Sequence, residues 1–242
     1  MLDRPLVLPA EVLARVVRRE ALGELHVTLA PVPSWIPVAE ERARDAEALV
    51  ELGKLGLVDR RERVDADLVA TVALLCRARV EFSGWVTSGE KTVGVLAAAS
   101  GRDAVLAVRQ HNTVHLRQIS PDRLPDSVVE QLPDLPPGRG RAVTVGPPEP
   151  SERHYTTKAR KDPELALAQR IAELPTTGGG QLSVAARDHA NRRTAAPHPL
   201  RYADSTRGRW LNLVLPGDRL IIAPAAKADL ATRLRDMRKA LA

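Results

Sequence analysis

A single cysteine, Cys76, stands among 242 residues, so neither an internal disulfide nor a cysteine metal cluster is available. It falls in VALLCRARV, on the apolar side of a helix, where a structural thiol is expected rather than a nucleophile. Aromatic residues number six, which leaves little surface for stacking bases. Lysine is scarce too, since 30 of the 36 basic residues are arginine. No stretch of the sequence has the length and apolarity of a membrane span, and no charged-then-apolar leader opens it. A soluble, cytoplasmic protein is the expectation. The signatures of catalysis are missing as well: there is no G-x-S-x-G elbow, no H-E-x-x-H and no Walker loop. Gly178-Gly179-Gly180 runs into Gln181 and a strand, without the Lys-Ser/Thr pair and helix N-terminus of a phosphate cradle, and reads as a flexible turn. His111 and His115 share a hairpin with no third ligand nearby and read as surface residues. Neither a metal nor another cofactor is expected, and the chain reads as a binding protein rather than an enzyme.

What is present centres on residues 79–119. Val80, Phe82, Gly84 and Val86 alternate with Glu81, Ser83, Trp85 and Thr87, the period of a half-buried strand. Short turns at 87–91, 100–103 and 110–112 then predict four strands in an antiparallel meander, because parallel strands need long crossovers. Before the meander, Val12, Leu13, Val16 and Val17 recur at helical spacing behind Pro9. Leu25, Val27 and Leu29 alternate like a strand. Helices are predicted from Val38 to Leu52 and from Asp65, a plausible N-cap, with Leu68, Val69, Val72, Leu75 and Cys76 on one face. Pro121 opens another helix through Leu132.

Seven prolines fall within 133–163, which marks the only candidate linker; its apolar run Ala142 to Val145 is a possible extra strand. Beyond it the same order returns: a helix at 163–174, strands at 181–187, 200–204, 209–215 and 219–222, and a last helix opened by Pro224. The organisation expected is one domain over 1–242, with an N-terminal half (1–133), a Pro-rich linker (134–162) and a C-terminal half (163–242). The fold class expected is α/β (α+β): a central antiparallel sheet with pseudo-two-fold symmetry, flanked by helical bundles.

Charge is unevenly placed. Residues 1–133 hold 17 Lys+Arg against 19 Asp+Glu, net −2, and the remainder 19 against 11, net +8. Such asymmetry suits a nucleic-acid or acidic partner, and equally suits an arginine-rich composition with no such role. Trp85 and Trp210 either cover the sheet core or lie at an interface, where indoles are enriched. Arg207 and Arg209 flank Gly208 as a solvated hairpin or as an anchor for an acidic partner.

The series of landmarks resembles the EspG-like proteins associated with type VII (ESX) secretion in actinobacteria. LPAEVLARVV, ERARDAEALVELGKLGLVD, RVEFSGWV, VGVLAAASGRDAVLAVR, VHLRQISPDRL, VVEQLPDLPPGRGRAVTV and PLRYADSTRGRWL carry that resemblance in order along nearly the whole chain. It implies a cytosolic, ATP-independent chaperone. The implied partner is a helical-hairpin secretion substrate, a PE–PPE-like heterodimer or a related protein, held soluble for export. It also implies a substrate-contacting loop at Thr87-Ser88-Gly89-Glu90-Lys91; Trp85, on the strand leading into that loop, is expected to add apolar contact surface. The chaperone itself is expected as a monomer or weak dimer. A nucleic-acid-binding module built on the basic C-terminal half is the alternative.

Overall fold

The computed structural model describes residues 2–32, 37–146 and 163–241. Two meanders carry the sheet. The first is β2 (Val80–Ser88), β3 (Lys91–Ser100), β4 (Asp103–Gln110) and β5 (Thr113–Gln118). The second is β7 (Thr176–Arg187), β9 (Leu200–Ser205), β10 (Gly208–Leu215) and β11 (Arg219–Pro224). β1 (Leu6–Pro9) and β6 (Val143–Val145) close the outer edges, giving the order β1-β5-β4-β3-β2-β7-β9-β10-β11-β6; the short β8 (Arg193–Ala195) pairs with β7 beside this path. β2 and β7 meet antiparallel at the centre with Gly84 opposite Leu182. A pseudo-two-fold axis passes between these two residues, and each half repeats strand, helix, meander, helix.

Alternation along the strands divides the sheet into two faces. On the back face, Phe82, Val95, Ala97 and Leu106 of one half join Leu182, Val184, Tyr202 and Leu211 of the other in a single core. Two helices cover it: α4 (Leu124–Val129), which follows a 3₁₀ turn at Pro121–Arg123, and α6 (Lys227–Lys239). They contact each other across the axis, where Arg235 pairs with Asp126 at 2.5 Å. On the front face the halves differ. Leu96, Ala98, Val105, Ala107, Val114 and Leu116 lie beneath α1 (Ala10–Arg19) and α3 (Ala66–Arg77). Among the described residues of the second half, only Val143, Trp210 and Ile222 form a buried cluster on this face, together with Ala168 of α5 (Pro163–Ala172).

The helices begin and dock for identifiable reasons. Asp65 caps α3, its carboxylate accepting from the backbone N–H groups of Asp67 and Leu68, both at 3.0 Å, which satisfies two donors that a helix start leaves open. α2 (Val38–Lys54) packs outside α1. It contributes little buried apolar surface, chiefly Ala48 and Leu52, and is held also by charge. Buried Arg15 pairs with Glu11 on its own helix and Asp45 on α2, each at 2.9 Å, and Arg18 joins Asp45 at 2.7 Å. Burial by itself raises the Asp45 carboxyl, but hydrogen bonds from Arg15 and Arg18 outweigh it and hold the group below the usual carboxylate range.

Several expectations are corrected. Residues 25–29 form no strand: the N–H groups of Leu29 and Ala30 both donate to the His26 carbonyl, closing a turn. Leu29 is buried there as a loop residue, so its alternation with Leu25 reflects packing rather than a ladder. Gly178-Gly179-Gly180 is not a turn but part of β7, paired with β2 and β9. Close approach explains the composition. A Cβ at Gly180 would fall 2.2 Å from the Trp85 carbonyl oxygen and 2.9 Å from the Tyr202 ring, so the central strands meet only where no side chain intervenes. Pro224 ends β11, and the last helix starts three residues later. β1 and β8 have no counterpart among the strands expected from periodicity. Each is four residues or fewer, too short for alternation to register.

Candidate functional site

The turn joining β2 to β3 is tighter than its composition suggests. Thr87 pairs with Thr92 and Ser88 with Lys91, leaving Gly89 and Glu90 alone at the tip. Gly89 takes φ +56° at the first central position, where two-residue hairpins of the II′ kind carry glycine. Thr87 and Thr92 hydroxyls meet at 2.9 Å across the pair. Of the five residues expected to form a loop, Thr87, Ser88 and Lys91 are therefore strand residues. The tip does not hang free, since the Gly89 N–H donates to the Thr177 carbonyl at 3.0 Å.

From this tip the front face runs into the second half. Register places Gly94, Trp85, Gln181, Arg201, Asn212 and Ile222 side by side on consecutive strands. Trp85 is half-buried, and Gln181 and Arg201 are exposed. The Trp85 indole leans over Gly94, where a Cβ would sit 3.1 Å from its ring. This row is the floor of a trough between the helices of the two halves, about 14 Å from Trp85 to Asn212 at the usual strand spacing.

At its far side the trough deepens into a cleft of about 350 Å³. Ile171 and Leu174 form one wall, Val214, Leu220 and Ile222 the other, and Trp210 closes the inner end. Arg201, His198 and Asn212 supply its polar groups, and no carboxylate lines it. Thr176 and Ser205 stand at the end of the cleft nearest the hairpin tip, because they pair with each other one residue from Thr177. An apolar slot with a cationic lip, open to solvent, suits an apolar side chain carried on a partner with acidic neighbours.

The four other residues singled out in the sequence fall in different settings. Arg207 is exposed in the turn after Ser205, on the same sheet end as Gly89 and Glu90. Arg209 is removed from the partner-facing set. It is wholly buried on the back face, with Nε donating to Asp204 Oδ1 at 2.6 Å and Nη2 donating to Asp204 Oδ2 at 2.8 Å and to the Pro133 carbonyl at 2.9 Å. Its guanidinium lies 5.1 Å from the Tyr202 ring centroid, within cation–π range. Trp210 is buried beneath Gly138, where a Cβ would stand 2.2 Å from the indole. Burial pushes the Cys76 thiol up to about 11, which disfavours the thiolate that nucleophilic chemistry requires.

Among the described residues no group of three His, Cys, Asp or Glu side chains is placed to hold a metal, and no helix is long and apolar enough to cross a membrane. Some cations of the basic second half are engaged by carboxylates: Arg192 with Asp188, Arg193 with Glu81, Lys227 with Asp134 and Arg235 with Asp126. Sequence reasoning missed the cleft. Its strand residues were legible as alternation at 201–203, 212–214 and 220–222, but nothing local says that a sheet face lacks its cover.

Comparison with known proteins agrees with this architecture. A model of the EspG family matches residues 9–236. No curated protein matches the sequence. Among solved structures, a Mycobacterium tuberculosis protein described as the type VII secretion system chaperone EspG5, in complex with a PE25–PPE41 dimer, superposes with a TM-score of 0.70 at 11% identity, over 99% of this chain and 97% of that one.

Proposed function

The chain belongs to the EspG family, and on that premise we propose that it is a cytoplasmic, ATP-independent chaperone, not an enzyme. Its client is a helical-hairpin secretion substrate, PE–PPE-like or related, bound at one end and kept soluble for export. The observation that carries this reading is the front-face cleft. An apolar slot of about 350 Å³ opens beside a rigid hairpin tip, on a sheet face that the other half covers with helices.

Masking is the physical logic. The tip of a helical hairpin that presents apolar side chains self-associates if left bare, and the cleft offers those side chains an equivalent burial. In this reading Trp85 and the cleft walls supply most of the affinity. Glu90, Lys91, Arg201 and Arg207 supply charge matching and encounter rate. Thr87, Ser88 and Gly89 set the height and rigidity of the tip. The size and solvation of this surface favour a reversible complex, as handover before export demands.

Co-expression with helical-hairpin proteins encoded nearby tests the reading. One of them should gain soluble yield and co-elute on gel filtration. Val214→Asp, which puts a charge on a half-exposed cleft wall, should weaken that complex by tenfold or more, about 1.4 kcal/mol, with the melting temperature held. If no candidate co-elutes, the chaperone reading fails. If Val214→Asp binds normally, the client sits elsewhere.

A further inference from the structure

We infer that the pseudo-two-fold axis generates a second docking surface on the front face, and that it takes an acidic, aliphatic segment of a partner protein. This surface is distinct from the proposed client cleft and does not depend on it. The axis between Gly84 and Leu182 relates the β2–β3 tip, beside the end of α5, to the tip after β7, beside the end of α3. The anchoring hydrogen bonds correspond: Gly89 N–H to the Thr177 carbonyl at 3.0 Å, and Arg187 N–H to the Arg79 carbonyl at 2.9 Å. A cleft lies at the second position too, open and about 670 Å³.

It holds more charged groups than the first. Arg77, Arg187 and Arg193 line it with His26, against Glu24 and Glu81. Glu81 is buried and engaged by Arg193, and Arg77 has a single bond of 3.3 Å to the Ala21 carbonyl. Arg187 is different, for its Nε is buried with no hydrogen-bond partner. Its neighbours do not answer it. The Asp188 carboxylate instead accepts from the Arg192 N–H at 2.9 Å and its Nε at 2.8 Å, which fixes the tip. That nitrogen is shut off from the cleft, but among the described residues no carboxylate pairs with the half-buried Arg187 side chain that lines it. A carboxylate answers with paired, charge-assisted bonds. Beside it Val27 stands 67% exposed and Leu25 lines the same wall, so the matching segment carries aliphatic residues next to its carboxylate. That apolar component favours an acidic peptide over a bare phosphate.

The test uses the full chain and a short fluorescein-labelled peptide rich in Glu and Leu, followed by anisotropy, with its Lys-for-Glu counterpart as control. The Glu peptide should bind and the Lys peptide should not. Arg187→Glu should weaken binding at least tenfold, and Arg187→Gln, which removes the charge while staying polar, should weaken it several-fold. Val214→Asp in the client cleft should leave it unchanged, so the two surfaces stand or fall separately. Normal binding by both Arg187 variants would overturn the proposal. Displacement of the peptide by inorganic tripolyphosphate more readily than by unlabelled Glu peptide would overturn it too, by assigning the cleft to phosphate.

Discussion

The two halves of the molecule share a sheet plan and differ in what covers it. Between β1 and β2 stand α1, α2 and α3; between β6 and β7 the described residues contain α5 alone. The first half thereby closes its front face over a continuous aliphatic core, and the second leaves an apolar slot. The back face differs in a subtler way. Beside equivalent turns, the first half pairs Ala99 with Ala104, and the second pairs Asp204 with Arg209. The second half carries both the apolar cleft and a buried ion pair that ties β9 and β10 to the chain at Pro133. Among the described residues, the apolar cleft lies where the helical cover is thinner.

The sharpest break of this comparison is Arg209→Met. It leaves Asp204 buried without its partner and should cost about 3–5 kcal/mol, read from urea unfolding. No substitution at Ala104 of the other half removes a charge pair. Next comes a contrast between covers. Leu75→Ala on the buried face of α3 empties a site that is 1% exposed and should cost about 2–5 kcal/mol. Ile171→Ala on half-exposed α5 should cost about 1 kcal/mol while weakening client binding; equal costs would mean that the two front faces are covered alike. Gly180→Ala tests the seam between the halves. Its new methyl meets the Trp85 carbonyl and Tyr202, and overpacking of this kind costs about 1–3 kcal/mol.

The smallest effect concerns α2, a layer with no counterpart among the described residues of the second half. The folded-state carboxyl of Asp45 titrates below its unfolded value of about 3.9, so its stabilisation is complete above about pH 4 and disappears as pH falls through the folded value. Asp45→Asn should therefore be less stable than the parent at neutral pH, and the two should converge in acid. A constant difference across that window would show that charge does not hold α2.

Much of this was legible in the chain. Alternation in RVEFSGWV and VGVLAAAS, together with glycines placed for tight turns, fixes strands and hairpins because neighbouring residues decide both. Asp65 as a cap and Val12, Leu13, Val16 and Val17 as one buried face are equally local facts. The order of elements, repeated after the Pro-rich stretch, was enough to expect a two-fold sheet. Resemblance across the chain named the family.

Other features required the assembled molecule. Gly178-Gly179-Gly180 looks like a turn until β2 and β9 are placed on either side of it, because close approach is a property of the neighbours and not of the glycines. Arg209 looks like a surface cation beside a hairpin until Asp204, Tyr202 and the Pro133 carbonyl surround it. The front-face cleft and its basic counterpart exist only where distant segments, a strand tip and the end of a helix, come together. Local sequence determined the strands, helices and turns, since short-range sterics and periodicity set those. Tertiary structure decided which faces stay open and which charges are buried, since burial depends on what distant segments bring to the same place.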